Sequence, residues 1–162
     1  MSTVNVKAQL AEHIAILDLL NRYTDAINQR DWAQLRAVFA QDSVWDMGGP
    51  AVGPMAMRFE GNGPIAAGIA ASVSTAAMCV QTNHAPVVVV DGGRATARST
   101  IHELFKPTAG GGYNIIGTYY DDLVLDHDGE WRFRERRFRI TYVDSETPVP
   151  GQVLATFPRT QD

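Results

Sequence analysis

The chain holds a single cysteine, Cys79, which excludes an internal disulfide framework and a cysteine-built structural zinc site. It also lacks any basic excess: 14 Lys and Arg stand against 18 Asp and Glu, a formal net charge of −4. A general nucleic-acid binder needs surplus cations to neutralise phosphates, so that class is not expected. No apolar run reaches the roughly 18 residues that span a bilayer, so no membrane association is expected. The opening residues, MSTVNVKAQLAEH, carry no basic-then-apolar leader. Missing too are a phosphate-cradling glycine loop, a helical metal-ligand motif and a nucleophile elbow. No internal repeat, second domain or low-complexity linker divides the 162 residues. These absences leave one domain, expected in the cytoplasm.

What is present describes a globular chain, 45% apolar and 20% charged. From about Gln9, Ile16, Leu19, Leu20, Tyr23, Ala26 and Ile27 recur at spacings of three and four, the stripe of an amphipathic helix. Asp31 is placed to cap a second helix, with Gln34 three residues on as in a capping box. Asp42 to Met47 alternates like a short strand, and a Gly/Pro-rich loop follows from Gly48 to Pro54. Pro64 suits the first turn of a third helix running to about Ala77. Beyond it, Pro86–Asp91, Arg94–Phe105, Tyr113–Asp126 and Trp131–Val143 are rich in β-branched and aromatic residues. Asp91-Gly92-Gly93, Gly110-Gly111-Gly112 and Asp128-Gly129 separate the later strands, connections too short for parallel crossovers. The order predicts an α+β fold: three helices from the N-terminal half on one face of a curved antiparallel sheet. The tail from Ser145, with Pro148, Pro150 and Pro158, is expected to be extended.

The run from Arg22 to Trp32, followed by Leu35, Val38-Phe39 and Asp42, resembles the opening of the SnoaL-like, nuclear-transport-factor-2-like superfamily. The Asp91-Gly92-Gly93-Arg94 turn, the stretch Gly117 to Leu123 and Gly129-Glu130-Trp131-Arg132-Phe133 resemble the same group. The resemblance spans roughly residues 10 to 143. It implies a cone-shaped sheet with the helices on its concave face, and proton abstraction beside a leaving group or carbonyl without metal or organic cofactor. Dehydratases, dehydrochlorinases, ketosteroid isomerase and polyketide cyclases share that architecture. The dehydratase-type members carry a catalytic aspartate where this chain has Asn28. Their strand histidine falls at Gln81 when counted back from Asp91, or near Cys79 when Thr82-Asn83 is matched. Tyr23 and Asp121 match the tyrosine and aspartate with which ketosteroid isomerase stabilises an enolate. The basic aspartate of that enzyme falls at Met47.

Two of the four histidines are candidates for chemistry. His13 begins a helix and His127 sits in a turn, both expected at the surface. His84 opens a strand, and family alternation turns Thr100, His102 and Leu104 toward the cavity, with Ala95, Ala97 and Ser99 on the other face. The expected catalytic set is therefore His84 or His102 for proton transfer, with Tyr23 and a protonated Asp121 as oxyanion donors. An ion pair between Asp121 and an arginine of the Arg132–Arg139 strand is the structural alternative. Asn28 is expected to hold substrate or orient a histidine, and Trp45, Met47 and Tyr119 to form an apolar, aromatic wall. Asp25 is expected in solvent. The arginines from Arg132 to Arg139 divide between strand faces, which does not make a nucleic-acid surface. The expected activity is that of a dehydratase-like lyase on a hydrophobic cyclic or aromatic small molecule. An isomerase or cyclase, or a non-catalytic binding or assembly module, are the alternatives. A homodimer or homotrimer through the outer sheet face and the tail is expected, with Val87, Val89 and Ile101 as contacts.

Overall fold

The structure is a computed structural model that describes residues 3–48 and 52–146, with residues 151 and 153. Most of the expected extended tail and part of the Gly48–Pro54 loop lie outside the described residues.

Helix α1 spans Thr3–Gln29. Its stripe of Ile16, Leu19, Leu20, Tyr23, Ala26 and Ile27 is the most deeply buried helical surface, each residue 2% exposed or less. The helix ends with Arg30 at φ 57°, a left-handed residue after which Asp31 N–H donates to the Ala26 carbonyl at 2.9 Å. Asp31 then caps helix α2 (Trp32–Ala37) by accepting from the Gln34 N–H at 2.9 Å. The capping box is only half made. The Gln34 amide turns instead to the Arg22 carbonyl and to Asp25, so Asp25 ties the two helices together.

Seven strands follow: β1 (Phe39–Met47), β2 (Met57–Glu60), β3 (Ala76–Asn83), β4 (Val87–Asp91), β5 (Arg94–Pro107), β6 (Tyr113–Leu125) and β7 (Trp131–Asp144). Helix α3 (Asn62–Ser72) sits between β2 and β3, with Pro64 in its first turn. The order across the sheet is β2-β1-β7-β6-β5-β3, and β4 pairs with the opposite end of β5. β5 is long enough to serve both partners, meeting β4 through Arg94–Arg98 and β3 through Ile101–Pro107.

The expectation of an antiparallel sheet needs one correction, because β1 runs parallel to β7. The chain between them contains the rest of the sheet, so no tight turn dictates their relative direction. The sequence pattern marks neither β2 nor β3 as a strand, and helix α3 is shorter than expected because β3 begins at Ala76. Close packing decides one position on β6. A Cβ at Gly117 would lie 2.4 Å from Phe138 Cε2 and 2.8 Å from the Arg139 carbonyl oxygen, so only glycine lets β7 close over β6 there.

Alternation then sorts the sheet. On β5, Ala95, Ala97, Ser99 and Ile101 are buried on the inner face, while Arg94, Thr96, Arg98 and Thr100 are exposed. On β6, Ile115, Tyr119, Asp121 and Leu123 point inward. Ile101, expected on the outer face, is fully buried, whereas Val87 and Val89 are 57% and 60% exposed. Among the described residues no helix is long and apolar enough to cross a membrane.

Candidate active site

Helices α1 and α3 and the inner face of the sheet line a partly open cavity of about 300 Å³. Ile27, Met47, Met55, Met57, Ile69, Val73, Phe105, Ile115, Phe138 and Ile140 make most of its wall apolar. Trp45 stacks on Phe59 at 5.9 Å and presents its indole N–H inward. Trp45, Met47 and Tyr119 all line the space.

Its polar floor is a short hydroxyl chain. Trp45 Nε1 donates to the Tyr23 hydroxyl at 3.1 Å, and the Tyr23 and Tyr119 hydroxyls lie 3.1 Å apart. Trp45 can only donate, so it occupies one lone pair of Tyr23. If Tyr119 donates to the other, the Tyr23 proton is left to point at a ligand. Burial raises the pKa of both phenols, and Arg136 opposes that shift at each. They are therefore neutral donors at neutral pH rather than phenolates.

Among the described residues lining the cavity, Glu103 is the one carboxylic acid. Burial raises its pKa, and the hydrogen bond from Gln81 opposes the rise. Gln81 Nε2 donates to Glu103 Oε2 at 2.6 Å. Gln81 is itself fixed by Asn28, whose side chain donates to the Gln81 carbonyl at 2.9 Å and accepts from its N–H at 2.7 Å. A side-chain amide sets an N–H and a C=O side by side in the spacing of a peptide group, which suits it to clamp a strand edge. Asn28 thus holds β3 against α1 and, through Gln81, sets the position of Glu103. It contacts neither histidine in the hydrogen bonds it makes.

The structure does not bring the expected catalytic set together. His102 lies on the outer parity of β5 with Arg94 and Arg98, and its Nε2 is 2.6 Å from Asn114 Oδ1 on the outer face of β6. His84 is exposed at the end of β3, where its backbone N–H donates to the Thr100 carbonyl. Neither lines the cavity. Expecting His102 inward was an error of one residue in strand alternation, and such a slip exchanges the two faces. It hid Glu103. Arg94 and Arg98 were the signal that could have found it, since charged residues mark the solvated face of a half-buried strand.

Asp121 shares Tyr119's face but lies below the cavity, fully buried against Arg136 with Oδ2 3.2 Å from Nη1. Burial pushes its pKa up to about 7 against the pull of Arg136. Asp46, next to Met47, faces outward and pairs with Arg139 at 2.6 Å. No group of three or more His, Cys, Asp or Glu among the described residues is arranged to hold a metal ion.

A SnoaL-like domain model matches residues 8–137. No curated protein matches the chain. Among solved structures, a scytalone dehydratase-like protein from Novosphingobium aromaticivorans superposes with a TM-score of 0.74 at 19% identity, covering 97% of this chain and 99% of that one. A hexachlorocyclohexane dehydrochlorinase, LinA-type3, from Novosphingobium barchaimii gives 0.73 at 18% identity, covering 89% and 94%. A Mycobacterium tuberculosis protein of unknown function, solved as an Asp-to-Asn variant, gives 0.68 at 26% identity, covering 83% and 75%. The likenesses below 25% identity speak for the fold alone.

Proposed function

The chain belongs to the SnoaL-like domain family, and from that premise we propose that its cavity performs lyase-type acid/base chemistry on an apolar, ring-containing small molecule bearing a carbonyl, with no cofactor required. The observation that carries this reading is Glu103, the single carboxylate among the described residues of an apolar cavity whose floor offers neutral hydroxyl donors. Ionised Glu103 takes a proton from the carbon next to the carbonyl, and Tyr23 donates a hydrogen bond to the enolate oxygen that forms. Returning that proton to a departing β-hydroxyl completes a dehydration; returning it to carbon further along completes an isomerisation. The isomerase reading has its own support, since a single carboxylate can shuttle a proton between two carbons without a second acid.

The test needs no knowledge of the natural substrate. Ring ketones that bind the protein are incubated in D₂O, and loss of their α-proton signals is followed by NMR. Catalysed exchange is expected, and Tyr23→Phe is expected to slow it by roughly 10²–10³-fold, the usual cost of one oxyanion donor. Binding without exchange across the panel would overturn the reading in favour of a binding module.

The outer sheet face supports a companion proposal of self-association. Val87, Val89, Ile116, Tyr120 and Tyr142 are exposed there, beside the ion pairs of Arg137 with Asp122 and Arg139 with Asp46. A face carrying apolar groups and both charge signs is complementary to itself, which suits a second copy of the chain. Light scattering should give a multiple of 17.7 kDa, reduced by Val89→Glu. The mass of one chain at high concentration would refute it.

A further inference from the structure

Arg136 is wholly buried, yet among the described residues it makes one hydrogen-bonded contact, to Asp121 at 3.2 Å. Its Nε and Nη2 and the second oxygen of Asp121 have no hydrogen-bond partner among the described residues. A guanidinium kept only to tie β7 to β6 would be expected to form a two-bond fork with its carboxylate, since one bond returns little for dehydrating the charge. The rest of its environment is aromatic. The guanidinium carbon lies 4.0 Å from the Tyr23 ring centroid, 3.7 Å from that of Tyr119 and 4.4 Å from that of Phe133. Ring faces attract a cation, and burial strengthens that attraction. The result is a permanent positive charge held between the two phenols whose hydroxyls meet at the cavity floor.

We propose that Arg136 is a positioning residue that acts through Tyr23 and Tyr119, making the cavity select ligands with an ionised oxygen, enolate or phenolate, over their neutral forms. The proposal rests on the reading of Tyr23 as the oxyanion donor. During turnover the α-proton moves to Glu103, and the C–H electron pair ends on the carbonyl oxygen. That oxygen leans on the Tyr23 hydroxyl and draws negative charge toward the phenol. A fixed cation against the ring lowers the energy of the arrangement without reorganising, which is how a buried dipole or charge assists a transition state. Arginine suits this position because it keeps its charge when dehydrated, whereas lysine readily sheds its proton. Glu103 from β5 opposes negative charge on both phenols and Arg136 from β7 favours it, while Asp121 from β6 faces Arg136 rather than the rings.

The test uses 4-nitrophenol, whose ionised form absorbs visible light, titrated in the presence of saturating Glu103→Gln protein so that the cavity carboxylate does not compete. The preference for the ionised over the neutral probe should fall at least roughly tenfold on Arg136→Gln. Arg136→Lys should recover part of it at pH values where the lysine is charged. Asp121→Asn, which leaves the arginine in place and removes its counter-charge, should raise the preference above pH 7, where Asp121 is ionised, and it serves where Arg136→Gln does not fold. An unchanged preference in Arg136→Gln, or an unchanged or lowered one in Asp121→Asn above pH 7, overturns the proposal. Tyr23→Phe separates the two readings. If it abolishes the preference while Arg136→Gln does not, the arginine has no such role and Tyr23 keeps its own. If Arg136→Gln abolishes the preference and Tyr23→Phe does not, Tyr23 is not the donor and the action of Arg136 through it is wrong.

Discussion

Glu103→Gln should slow α-proton exchange of a bound ring ketone by about 10²–10⁴-fold, the usual contribution of a positioned acid or base. The substitution preserves volume, and its amide oxygen can still accept from Gln81 Nε2, so the anchor that Asn28 supplies through Gln81 stays in place. What it removes is the lone group among the described residues of the cavity wall able to take a proton from carbon at neutral pH. His84→Ala and His102→Ala should leave the exchange unaltered, because both side chains lie outside the cavity. The pH dependence has a definite sign. Only deprotonated Glu103 is a base, and burial raises its pKa. Exchange should therefore increase with pH through a limb lying above the ordinary glutamate range, and Glu103→Gln should abolish that limb. Full exchange in Glu103→Gln would remove the residue from the mechanism, and a loss seen with His102→Ala instead would restore the histidine reading.

The elements whose residues repeat with a clear period were legible in the sequence. The α1 stripe, the Asp31 cap and the β4–β7 strands with their glycine turns follow from local chemistry that a neighbour has little power to override. β2 and β3 were hidden for opposite reasons. β2 is four residues at a sheet edge, too short to show alternation, and β3 opens with Ala76 and Ala77, which continue the small-residue run of α3. The parallel β1–β7 pair depends on contacts between residues about ninety positions apart, and nothing local encodes its direction.

The site was legible only in part, and the failure sits at one strand. Tyr23, Trp45, Met47 and Tyr119 were placed by a helix stripe and by strands whose alternation is plain. On β5 a histidine beside a glutamate invited attention to the histidine, while two arginines of the same parity marked that side as solvent-facing. The Asn28–Gln81–Glu103 chain joins three elements through a backbone contact, and side-chain spacing carries no record of such a contact.

Asp121→Asn should change the pH dependence of stability more than any other single substitution in the buried pair. The folded protein holds the Asp121 carboxyl at about 7, above its ordinary value of 3.8, because burial disfavours the charged form more than Arg136 favours it. A group whose pKa is raised on folding binds more protons in the folded than in the unfolded chain between those two values. Stability then falls as pH rises across that window and levels off above it. Asparagine has no such proton to lose. Between pH 5 and pH 8 the variant should accordingly gain on the wild type by about 2–3 kcal/mol, an order-of-magnitude figure from roughly 1.4 kcal/mol for each tenfold change in proton affinity. Urea midpoints of both proteins at the two pH values measure it. Glu103, also raised by burial, drives stability in the same direction in both proteins and cancels in the difference. Asp126 and Asp128, lowered by His127 and Arg132 respectively, act in the opposite sense at lower pH and also cancel. A difference that does not vary with pH would mean that Asp121 is ionised throughout the range. Its charge would then weaken the field of Arg136 at the tyrosines at every pH, and Asp121→Asn should raise the preference for ionised ligands across the whole range rather than only above pH 7.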